Sequence, residues 1–106
     1  MKVAKIAEMT RGWFVGNFLP VGFSTENCEV AFKKYNSQEC EKKHVHKIAT
    51  EITLIIRGTI LMNSKEYRSG DIIILEPGEP ADFKSITETE TVVVKVPAVK
   101  NDKYFI

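Results

Sequence analysis

The feature that most constrains this chain is a series of short, branched runs cut off by glycine and proline. Glu29-Val-Ala-Phe-Lys-Lys-Tyr35, Ile52-Thr-Leu-Ile-Ile-Arg57, Asp71-Ile-Ile-Ile-Leu75 and Thr91-Val-Val-Val-Lys-Val96 are too short for independent helices. They are rich in side chains whose branching at Cβ restricts χ1 and favours a pleated backbone. Gly58, Asn63-Ser64, Ser69-Gly70, Pro77-Gly78, Pro80 and Pro97 punctuate them, and no window sustains a helical period. The pattern predicts one all-β domain over residues 1–106, a barrel or sandwich of roughly nine to eleven strands. Ile72 to Leu75, apolar at every position, predicts a strand covered on both faces.

Charge excludes several classes of partner. The 106 residues carry 15 basic and 14 acidic side chains, for a net charge of +1. With both signs interspersed there is no footprint for a nucleic-acid backbone or an anionic bilayer, and neither is expected as a partner. No run is long and apolar enough for a membrane-spanning helix, and Lys2 and Lys5 interrupt Met1 to Ile6 before a signal-peptide core can form, so the expected location is cytoplasmic. The two cysteines, Cys28 and Cys40, lack C-x-x-C spacing and read as reduced, small core residues. No strand-to-helix glycine loop and no Gly-x-Ser-x-Gly elbow is present, which leaves nucleotide and serine-hydrolase readings without support.

Both histidines fall in Lys43-His44-Val45-His46. On a strand, residues two apart share a face at roughly 6.5 to 7 Å, so both imidazoles can bend toward one ion. Glu51 follows five residues later, and an antiparallel return would carry its carboxylate to the same interior point. Two histidines and a carboxylate, with positions left for water or substrate, suit Fe(II) or Mn(II), with Zn(II) also acceptable. The bland alternative is a pair of strand-end imidazoles in water, with Glu51 pairing to Lys43 or Lys47.

His44-x-His46-x4-Glu51-x6-Gly58 resembles the first motif of the cupin superfamily residue for residue. Gly70-Asp-Ile-Ile-Ile-Leu-Glu76-Pro77-Gly78 resembles the second, so the motifs span about 43–58 and 70–83. The resemblance implies a cupin-type jelly-roll barrel, a divalent metal (Fe, Mn, Zn or Ni) on His44, His46 and Glu51, and a catalytic role for those residues. It departs from the usual pattern at two points. Gln38 stands where a glycine usually precedes the first histidine by six residues. Ala81 stands where the second motif normally supplies a fourth ligand. Asp82, one position on, is a candidate substitute ligand if a bulge turns it inward.

Strand alternation predicts Lys42 and Cys40 on the face of His44, and Thr53, Ile55 and Arg57 on the face of Glu51. Lys42 and Arg57 are thereby candidates for holding an anionic group, and Cys40 for a soft ligand or thiolate. Arg11 to Phe18, aromatic around two glycines, could close the barrel mouth. Asn63-Ser64 predicts a tight hairpin turn. The expected function is a metal-dependent enzyme, an isomerase, lyase or dioxygenase, acting on a small carbohydrate-like or oxo-acid-like molecule in the barrel. The alternatives are a metal-free epimerase-like or isomerase-like cupin using a histidine base, and a non-catalytic binding or sensing barrel. The family resemblance also implies a homodimer, with Lys2 to Ile6 as a candidate for covering an exposed edge.

Overall fold

The computed structural model describes residues 1–106. Eleven strands form, as the punctuation predicts: β1 Trp13–Gly16, β2 Phe23–Ser24, β3 Glu29–Tyr35, β4 Cys40–His46, β5 Thr50–Arg57, β6 Thr59–Met62, β7 Lys65–Arg68, β8 Ile72–Leu75, β9 Ala81–Ser85, β10 Thr89–Val96 and β11 Lys103–Phe105. Lys2 to Ile6 adds no strand. The chain's one helical element is a 3-10 turn at Ile6–Glu8, and no helix is long and apolar enough to cross a membrane.

The strands make two facing sheets, ordered β2-β1-β3-β10-β5-β8 and β11-β4-β9-β6-β7. All pairings are antiparallel except β1 with β2. One end of the space between the sheets is packed by Ile55, Ile60, Met62, Ala81 and Phe83, against which Tyr35, Tyr67, Ile73 and Leu75 lean. The inner face of the larger sheet then changes character along its strands. Thr53, Thr91 and Val93 are small and line a cavity between the sheets. Only 15 of the 106 residues are buried, as expected where interior volume is left as a cavity rather than filled.

Turn chemistry accounts for the register. Asn63 and Ser64 both take positive φ, 50° and 65°, which gives the primed two-residue turn that matches strand twist. Gly58 has φ +96° and lies so close to Glu88 that a Cβ would sit 2.3 Å from its carbonyl oxygen. The last glycine of the first motif is therefore a steric requirement. Gln38 takes φ +69°, the conformation a glycine would adopt freely. Its backbone N–H donates to Ser85 O at 2.8 Å and its side-chain amide to Ile86 O at 3.1 Å, which together hold the turn.

Two core assignments change. β8 is an edge strand, and although Ile73 and Leu75 face inward, Ile72 and Ile74 are 62% and 57% exposed. Nothing in the chain covers that outer face, so an apolar run here does not mean two-sided burial. Cys40 is exposed and Cys28 half-buried, and both are free thiols. Truncating Ile55, which is wholly buried, to alanine should cost about 2–5 kcal/mol in urea unfolding, whereas Ile72→Thr and Ile74→Thr should each cost less than about 1 kcal/mol.

Candidate metal centre

His44 and His46 lie on β4, in the smaller sheet, and Glu51 on β5, in the larger. The two strands are not hydrogen-bonded partners, so the expected antiparallel return is replaced by a crossing from sheet to sheet through Lys47, Ile48 and Ala49. The Asp102 carboxylate holds that crossing. It accepts the N–H groups of Lys47 at 3.0 Å, Ile48 at 3.1 Å and Ala49 at 2.9 Å. Asp102 is itself buried and enters from the C-terminal segment, whose β11 pairs with β4 from His44 to His46. Gly78, at the Pro-Gly corner of the second motif, donates its N–H to His46 O at 2.8 Å, fixing the strand from the other side.

Each imidazole is held through Nδ1. His44 Nδ1 lies 3.0 Å from Lys42 O and His46 Nδ1 3.0 Å from Asp102 O. A carbonyl oxygen only accepts, so Nδ1 carries hydrogen in both rings. In neutral rings Nε2 then presents a lone pair, the arrangement that backbone carbonyls impose on metal-binding histidines. The donor atoms of His44, His46 and Glu51 all lie within 4.8 Å of one another, and the His46 Nε2 to Glu51 Oε1 distance is 3.7 Å. His46 Nε2 is buried with no hydrogen-bond partner, an orphaned atom that a bound cation would satisfy. Burial raises the Glu51 carboxyl, but His46, Lys95 and His44 outweigh it and hold the group below the usual carboxylate range. The residues therefore fit a divalent ion.

His44 and Glu51 line a cavity of about 900 Å³. Ala81, directly across from His44 in register, supplies no donor, so the usual fourth-ligand position is open space. Asp82 does not join the convergence. Its Oδ1 accepts the Asn63 N–H at 2.8 Å and its own N–H returns to Asn63 Oδ1 at 3.2 Å, so it braces the β6–β7 turn.

Alternation fails on β4 for a local reason. Glu41 pairs with Phe83 and His44 with Ala81, so β4 spends three steps against two on β9. This bulge reverses the faces. Lys42, expected beside His44, is exposed, and Glu41 lines the cavity instead, accepting the Tyr35 hydroxyl at 3.5 Å. Burial, and then Glu41, push the Tyr35 hydroxyl well above its usual range, so it keeps its proton. Sequence reasoning missed both residues, because a bulge has no residue signature here. On β5, Thr53 and Ile55 face inward as expected, but Arg57 reaches solvent and pairs with Glu88 at 3.7 Å. Cys40 lines the cavity without belonging to the donor group, and Trp13 and Phe18 stand at its wall, as expected of the aromatic N-terminal segment.

No protein-family model and no curated protein matches this chain. Solved structures do match. An RmlC-like cupin from Shewanella frigidimarina has a TM-score of 0.67 at 14% identity, over 73% of this chain and 72% of that one. A conserved protein with a double-stranded β-helix domain from Klebsiella pneumoniae has a TM-score of 0.66 at 21% identity, over 70% and 66%. Oxalate decarboxylase of Bacillus subtilis, in a structure concerned with its Mn(II) centres, has a TM-score of 0.67 at 16% identity, over 77% and 25%. The chain thus spans a little under two thirds of the Klebsiella protein and a quarter of the decarboxylase. At these identities the likeness shows the fold, the jelly-roll barrel of the cupins.

Asp102→Ala should lower affinity for Mn(II) or Ni(II) by about 10- to 100-fold in equilibrium titration, because it frees the turn that joins the ligands. Burial raises the Asp102 carboxyl, but the N–H groups of Ala49, Ile48 and Lys47 outweigh that and hold it below its ordinary 3.8. A depressed folded-state value stabilises above the unfolded value and is lost as pH falls through the folded one. The stability difference between wild type and Asp102→Ala, read by thermal unfolding, should therefore be full above about pH 5 and shrink steadily below about pH 4.

Proposed function

We propose that this chain, a small barrel with the cupin fold, is a metal-dependent enzyme whose divalent ion is held by His44, His46 and Glu51 and whose substrate is a small polar molecule bearing oxygen. One observation carries the reading: both imidazoles are fixed by backbone carbonyls through Nδ1, and His46 Nε2 is left buried and unpartnered opposite Glu51. A solvent-facing pair of histidines would have no reason to be so oriented. The Mn(II) centres of oxalate decarboxylase, on a barrel of the same fold, support a metal at this place.

The bound ion would supply Lewis acidity toward a carbonyl or enediolate oxygen, or a site for dioxygen. The protein does the rest. Glu51 contributes the anionic charge, and Ala81 leaves room beside His44. Tyr35, kept protonated by its surroundings, gives its one hydroxyl hydrogen to Glu41, which leaves the hydroxyl oxygen to accept a hydrogen bond from a substrate hydroxyl. Ile55, Ile60 and Phe83 seal the far end of the barrel against water.

Protein purified without an affinity tag should carry near one equivalent of Fe, Mn, Ni or Zn by elemental analysis. His46→Ala should lose it while retaining cooperative unfolding. A wild-type chain that takes up none of these ions at micromolar concentration would overturn the reading.

A further inference from the structure

The inner face of the larger sheet carries a pair of unpaired ammonium groups beside the metal centre. Lys33 on β3 is the register partner of Thr91 on β10. Lys95, four residues along β10 from Thr91, shares its face and pairs in register with Glu29 on one side and Glu51 on the other. Lys33 Nζ lies 5.3 Å and Lys95 Nζ 4.9 Å from the centroid of one indole ring, that of Trp13. All of these residues line the same cavity, together with Arg11 and Lys103.

The acids around them are otherwise engaged. Glu39 accepts the Asn36 N–H at 3.1 Å, Asp82 that of Asn63, and Glu41 the Tyr35 hydroxyl. Glu51 belongs to the candidate metal donors, and Glu29, though the register partner of Lys95, forms no ion pair with it. None of the chain's ion pairs includes either lysine. Burial pushes the Lys33 ammonium below its ordinary value. Glu41 opposes that shift, and Lys95, Lys103 and Arg11 add to it. Two like charges share one aromatic ring and neither is in an ion pair, an arrangement that leaves both ammonium groups able to take an added anion. A second orphan stands beside them: Thr91, 1% exposed, leaves its buried Oγ1 without a hydrogen-bond partner.

We propose that the cavity takes a small carboxylic acid, its carboxylate held by Lys33 and Lys95 over Trp13, with a hydroxyl or carbonyl oxygen close to the carboxylate directed at the metal centre. The position of the second oxygen rests on the reading above. It follows from Lys95 being the cross-strand neighbour of Glu51, which leaves only a few bonds between the two points of attachment. The class is that of 2- or 3-oxygenated carboxylic acids, with the Thr91 hydroxyl available as a further donor. A cavity of about 900 Å³ accommodates such a molecule up to the size of a sugar acid.

The test uses gluconate and lactate as probes, with sorbitol and lactamide as neutral counterparts, titrated calorimetrically into wild type, Lys33→Gln, Lys95→Gln and Lys95→Arg, each with and without Mn(II). Wild type should bind at least one acid saturably and neither neutral counterpart. Each glutamine variant should weaken that binding by about tenfold or more, the loss expected for one charge-assisted contact. Lys95→Arg should recover part of it, and Mn(II) stoichiometry should be unchanged in all four proteins. Equal binding of an acid and its neutral counterpart, no binding of either acid, or full affinity in both glutamine variants would each overturn the proposal. The acid-against-neutral comparison in wild type stands even if a variant fails to fold. A wild type that prefers gluconate but takes no Mn(II) would sink the metal reading and leave the lysine pair confirmed.

Discussion

The crossing between His46 and Glu51 is the constraint on which the site depends. Two sheets that share no hydrogen bonds at that point must be joined by three residues, Lys47 to Ala49, whose N–H groups cannot be satisfied by either sheet. One buried carboxylate from the far end of the chain accepts all three. The same residue's carbonyl holds the His46 ring by Nδ1. Anchoring of the C-terminal segment, closure of the crossing and orientation of a donor imidazole are therefore one structural event. Losing Asp102 would leave buried backbone donors unpaired, which is the costly side of hydrogen-bond energetics.

A second constraint is the division of the interior. Large side chains from three strands meet at one end, where Ile55, Ile60, Met62 and Phe83 pack together. Beyond them the larger sheet presents Thr53, Thr91 and Val93 to a cavity, and the opposite sheet presents His44. The polar groups facing it keep some of their bonding capacity. His46 Nε2 and Thr91 Oγ1 are the two buried side-chain atoms without partners. They lie at the candidate metal centre and in the adjacent cavity wall, where unspent bonding capacity points to a ligand rather than to a packing fault.

Electrostatics give the hollow end its polarity. The His44, His46 and Glu51 cluster and the Tyr35–Glu41 pair share its wall with Lys33 and Lys95, which flank Trp13. The Trp13 ring attracts both ammonium groups through its negative face.

The all-β class, the primed turn at Asn63-Ser64 and the clustering of His44, His46 and Glu51 were legible in the sequence, the first two from local rules of Cβ branching and turn chemistry and the third from the spacing of a known motif. The sequence could not show that β4 and β5 belong to different sheets, that Asp102 closes the gap between them, or that a bulge turns Lys42 out and Glu41 in. Those outcomes depend on pairing with β9 and β11, which lie some forty to sixty residues further along the chain. The same holds for the exposed Ile72 and Ile74, since an apolar strand reads alike whether it ends at an edge or lies between neighbours. Local stereochemistry determined the elements, and motif spacing the donors. Register between distant strands decided which side chains share the cavity, because one added residue inverts every face beyond it.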